Sequence, residues 1–117
     1  MITRYQLRQA KKRVIKKYNH KKLMDTCKKV YRSPILIDKS LLKKNLDTID
    51  FFYEENGCWA YTNGICIYLN IWKCYNPELL YYTLFHEALH GIFTINNCEI
   101  SEYREHQIMK YYDKKLL

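Results

Sequence analysis

At 117 residues, 48% hydrophobic and 27% charged, the chain is long enough to bury a core of its own as one domain, residues 1–117, without staples. No stretch reaches the roughly 18 apolar residues of a membrane span, the Met1-Ile2-Thr3-Arg4 start lacks the apolar run of a secretion signal, and five cysteines without a C-x-x-C pair read as reduced thiols. An intracellular protein, cytoplasmic or in the nucleoid or nucleus, is therefore expected, and its net charge of +8 is unevenly placed.

Residues 1–33 hold twelve of the twenty Lys and Arg and one acid, Asp25, so this third carries +11 and the remainder −3. Leu7, Ala10, Val14 and Tyr18 recur at helical spacing, Asn19-His20 suggests a break, and Met24, Cys27 and Tyr31 continue an apolar face. The outward faces are basic. Such a surface concentrates polyanions, which makes Lys11, Lys12, Lys16 and Lys17 candidate contacts to DNA or RNA phosphates; a simply solvated lysine face is the plain alternative. Ser33-Pro34 marks a seam between this basic helical part (1–33) and the rest (34–117), with a candidate strand at Ile35–Asp38.

Two Asn-Gly pairs, Asn56-Gly57 and Asn63-Gly64, then punctuate three short β-prone runs. Type I′ turns at both predict an antiparallel β-meander, with Thr62 opposite Ile65, Tyr61 opposite Cys66 and Ala60 opposite Ile67. That register puts Cys58, Ala60, Ile65, Ile67 and Leu69 on one face and Trp59, Tyr61, Cys66 and Tyr68 on the other. The aliphatic face should meet the next helix.

Asn76 as N-cap, Pro77 at the first position and Glu78 at the positive dipole end predict a helix running to about Thr94. It is apolar nearly all round, except that Thr83, His86, Glu87 and His90 form a single polar stripe. His86-Glu87-Ala88-Leu89-His90 is H-E-x-x-H. At 3.6 residues per turn both imidazoles share a face, so two nitrogens can hold one Zn²⁺, which lowers the pKa of a bound water to about 7 while Glu87 accepts its proton. Gly91 gives up about 1 kcal/mol of helix propensity, which suggests a close neighbour there.

A hydrolytic zinc needs a third protein ligand and an open fourth position. Ser101 can cap a last helix to about Lys115 on which Glu102 and His106 share a face. Glu102 is the leading candidate ligand, with His106 as a stabiliser of the oxyanion; His106, Glu99 and Glu105 are the alternative ligands. The pattern H-E-x-x-H-x-x-G-x-x-H is absent, since Phe93 and Asn96 stand where it needs Gly and His.

The Ile67-Tyr68-Leu69-Asn70 segment, the Leu84-Phe85-His86-Glu87-Ala88-Leu89-His90-Gly91 helix and the following Glu102-x-x-Glu105 together resemble the small gluzincin metallopeptidases, with minigluzincins, SprT-like proteases and the ImmA/IrrE group as nearest relatives. The resemblance spans about residues 58–112 and rests mainly on H-E-x-x-H. It implies zinc held by His86, His90 and Glu102, Glu87 as general base, and a peptide bound along an edge strand; an SprT-like arrangement would instead use His106. The fold expected is a single α+β zincin-like domain of basic N-terminal helices, meander, motif helix and C-terminal ligand helix, cleaving proteins or peptides with one Zn²⁺. A nucleic-acid-binding module with a structural or vestigial zinc site is the alternative, and a metal-free interaction protein a further one.

Overall fold

The computed structural model describes residues 2–31, 37–96 and 100–116. Thr3 and Gln6 form a capping box that opens α1 (Arg4–Lys17), which buries Ala10 and Val14. At the expected break Tyr18 ends α1, Asn19 caps the Lys22 amide with its side chain, and α2 (His20–Tyr31) buries Leu23 and Cys27. A short helix, α3 (Leu41–Asp47), was not foreseen. Its seven residues bury Leu41, Leu42, Asn45 and Leu46, too short a run to establish a period in sequence. The candidate strand at Ile35–Asp38 falls partly outside the described residues, and Ile37 and Asp38 are not in a strand.

The sheet corrects the expected meander. β1 (Ile49–Phe52), β2 (Ala60–Thr62) and β3 (Ile67–Asn70) take the order β1-β3-β2, with β1 parallel and β2 antiparallel to β3. Asn56 does adopt φ 59° and the Gly57 amide does bond the Glu54 carbonyl, so the chain turns there, but β3 inserts between the two strands instead of letting them pair. The buried Asn70 side chain takes over the loop's polar groups. Its Oδ1 accepts from the amides of Glu54 and Trp72, and its Nδ2 donates to the carbonyls of Glu54 and Cys58, satisfying backbone that a hairpin ladder would otherwise serve.

The β2–β3 turn is also looser than expected. Ala60 pairs with Leu69, Tyr61 with Tyr68 and Thr62 with Ile67, a shift of two residues that keeps each side chain on its expected face. The reason is local: Asn63 Oδ1 accepts from the amides of Ile65 and Cys66, and only Gly64 takes a positive φ, so no type I′ pair forms. Ile65 consequently projects from the turn, 73% exposed, instead of packing on the aliphatic face. Ile67 and Leu69 do pack in the core with Leu80, Leu84, Ala88 and Leu89 of α4 (Pro77–Ile95). On the other face Tyr61 stacks on Tyr68 at 4.7 Å and stays exposed, so the N-terminal helices do not cover it.

The central α4 packs against α1, α3, β2, β3 and α5 (Glu102–Tyr112), with a 3₁₀ turn at Lys114–Leu116 closing one end. No helix among the described residues is long and apolar enough to cross a membrane. The close neighbour expected at Gly91 is Asn45, whose Nδ2 bonds the Ala88 carbonyl at 3.0 Å. A Cβ on residue 91 would lie 2.6 Å from that nitrogen. Gly91→Ala would gain about 1 kcal/mol of helix propensity yet strand a buried amide worth about 1–3 kcal/mol, so a net loss of stability is expected in chemical denaturation. A neutral or stabilising substitution would show that Asn45 yields freely.

Candidate metal and active site

Asn76 Oδ1 caps the Leu79 amide and Pro77 takes the first helical position, which sets the phase of α4 and turns His86, Glu87 and His90 toward β2 and α5. Ser101 caps α5 in the same way through the Arg104 amide. These two helices bring three imidazoles together. His90 Nε2 lies 3.0 Å from His86 Nε2 and 3.1 Å from His106 Nε2, and ligand atoms of all three fall within 4.8 Å of one another.

The second nitrogen of two rings explains what that convergence means. His86 Nδ1 lies 2.6 Å from the Leu116 carbonyl, and His90 Nδ1 lies 2.9 Å from Glu105 Oε1. Both partners only accept, so each Nδ1 carries the proton and donates it. In the neutral rings the Nε2 atoms then present lone pairs to each other, an arrangement that repels unless a cation stands between them. Tetrahedral zinc at 2.0–2.1 Å from each nitrogen sets its ligands about 3.3 Å apart, close to the 3.0 and 3.1 Å that separate His90 from His86 and His106. The donor set fits a single Zn²⁺.

Glu102, expected as the third ligand, does not join the cluster. Its carboxylate sits at the first residue of α5, 81% exposed, and comes no nearer than 4.0 Å to His106 Nε2. The two do share a helical face as expected, but of the two only His106, one turn further along α5, reaches the α4 histidines. His106 thereby moves from expected oxyanion stabiliser to the third imidazole of the cluster. Glu105 is the residue that spacing could not single out. Metal-binding histidines characteristically hand their other N–H to a carboxylate, yet Glu99, Glu102 and Glu105 compete for that part in sequence, and Glu99 lies outside the described residues. The Leu116 carbonyl has no sequence signature at all.

Glu87 is buried beside the cluster, and that burial pushes its carboxyl up to about 7, opposed in part by His90. Burial also holds His86 below the ordinary imidazole range, favouring the neutral form a metal requires. A cavity of about 400 Å³ opens above His86, Glu87 and His90, bordered by Ala60, Tyr61 and Thr62 of β2 and by Glu102 and Glu105. A second, of about 360 Å³, continues from Ala60, His86 and Glu87 toward Trp59, Leu79, Tyr82 and Leu116. Ala60, His86 and Glu87 line both, so one cleft runs along β2 with His86 and Glu87 at its middle.

The basic N-terminal residues lie elsewhere. Lys12, Lys16 and Lys17 are exposed on α1 and Lys11 half-buried, and none of them lines either half of the cleft. α1 is fastened to α4 by Arg13, which pairs with Glu78 at 2.5 Å and lies over the Tyr81 ring at 4.0 Å. Of the cysteines described, Cys27 and Cys66 are buried, Cys58 and Cys74 exposed, with no disulfide among the described residues; Cys98 lies outside them.

Three histidines on two helices, with a buried glutamate between the first pair, form a zincin-type H-E-x-x-H metal centre on an α+β fold, laid out as a zinc-dependent hydrolytic site. Compared with protein-family models, with curated proteins and with solved structures, the chain matches none of them significantly.

Proposed function

We propose that the protein is a zinc metalloendopeptidase in which His86, His90 and His106 hold the ion and Glu87 is the general base. The observation that carries this reading is the convergence of three Nε2 atoms, two of them with their N–H groups committed elsewhere, beside a buried carboxylate in an open cleft. An ion held there supplies Lewis acidity, acidifying a water and polarising a carbonyl. Glu87, one residue from His86 and buried beside the cluster, takes the proton from the attacking water and delivers it to the departing amine. Three protein ligands leave a coordination position open, as a hydrolytic site needs and a structural one does not.

The shape of the cleft supports a polypeptide substrate. Among the described residues β2 is an edge strand, so an extended peptide can add along Ala60–Thr62 as a further strand with its scissile bond over His86 and Glu87. Among the relatives that the sequence resembles, a third histidine in place of the glutamate favours the SprT-like arrangement.

Unstructured proteins such as casein, incubated with the zinc-loaded chain, should be cut, with cutting stopped by a chelator and restored by added zinc. Stoichiometric zinc without cleavage of any unfolded protein or peptide would reject the peptidase and leave a structural metal site.

A further inference from the structure

The 3₁₀ turn Lys114–Leu116 follows α5 directly and packs on both α4 and α5. Its backbone is held by the Leu116 amide donating to the Asp113 carbonyl at 3.0 Å and by Asp113 Oδ1 accepting from the Lys115 amide at 3.0 Å. The Leu116 side chain is 3% exposed, an apolar anchor that docks the turn into the core. With its side chain inward, Leu116 presents its carbonyl to His86 Nδ1 at 2.6 Å, thirty residues away in sequence. The same residue walls the Trp59–Tyr82 half of the cleft.

We propose that Leu116 is a positioning residue of the metal centre, its main-chain carbonyl setting the tautomer and ring orientation of His86. The two α4 histidines are oriented by different means. His90 receives a carboxylate from α5, within the helix that also brings His106, whereas His86 depends on a turn beyond that helix. A neutral imidazole with no acceptor at Nδ1 divides its proton between both nitrogens and rotates about χ2; the carbonyl removes both freedoms and leaves the Nε2 lone pair facing His90 and His106. Metal affinity and docking of the turn are therefore coupled, each strengthening the other.

This inference rests on the zinc site proposed above but not on hydrolysis, so its test reads metal binding. Two shortened chains, one ending at Leu116 and one at Lys115, differ by the single residue that carries the acceptor. Zinc affinity by chelator competition should be unchanged within about threefold when the chain ends at Leu116, whose terminal carboxylate still accepts. It should fall about 10–100-fold when it ends at Lys115, with an altered Co²⁺ absorption spectrum. Equal affinities for the two chains overturn the proposal. Should the shorter chain fail to fold by circular dichroism, the zinc-loaded full chain decides through its imidazole ¹⁵N and ¹H signals. A protonated, slowly exchanging His86 Nδ1 supports the assignment, and an unprotonated or freely exchanging one overturns it. A full chain that binds no zinc removes the metal site itself, and this inference with it.

Discussion

Glu87→Gln is expected to keep zinc at one ion per chain and to lose peptide hydrolysis by at least the 10²–10⁴-fold that a positioned general base contributes. The amide is isosteric with the carboxyl, lies among no ligand atoms of the cluster and cannot accept the water's proton. Zinc lost in this variant would instead make Glu87 a ligand, and retained turnover would move the base elsewhere. The metal-free protein offers a second reading of the same residue. Because burial raises the folded-state carboxyl from its ordinary 4.5 to about 7, the folded protein binds more protons than the unfolded one across that interval, and stability falls as pH rises through it. The loss amounts to about 3 kcal/mol at full ionisation. Glutamine does not ionise, so the metal-free variant should match the wild type below about pH 4.5 and exceed it above pH 7, measured by denaturant titration at each pH. Equal stability of the two proteins at pH 8 would show that Glu87 ionises without cost.

His106→Ala should weaken zinc binding by far more than the roughly 100-fold that loss of a supporting partner costs, because it removes one of three converging nitrogens. Glu102→Ala, at an exposed carboxylate 4.0 Å from the ring, should leave affinity within a few fold. Glu105→Ala should fall between them, about 10–100-fold, since Glu105 touches His90 at Nδ1 and not the ion's position. Chelator competition on the three variants separates these outcomes. Zinc lost with Glu102→Ala and kept with His106→Ala would restore a glutamate ligand and require α5 to slide about one turn, about 6 Å, along its axis from its position here.

Features that depend on neighbours along the chain are legible in its residues. Asn76-Pro77 and Ser101 begin their helices where capping chemistry says they must, and the 3.6-residue repeat alone brings His86, Glu87 and His90 onto one stripe. Gly91 announced a close approach, and the alternation along β2 and β3 survived a two-residue register shift because side chains alternate with a period of two. What lay beyond the sequence were the strand order and the partners that packing selects at the site. In place of the meander β3 lies beside β1, with Asn70 bonding a loop twelve to sixteen residues back, a contact that no local propensity contains. Glu102 and His106 are equivalent on the face of an isolated α5, and only the way α5 packs on α4 brings the second within reach and leaves the first in solvent. The supports of the two α4 histidines are likewise tertiary: a carboxylate chosen from several by packing, and a main-chain carbonyl that every residue possesses and only the docked turn aims at His86.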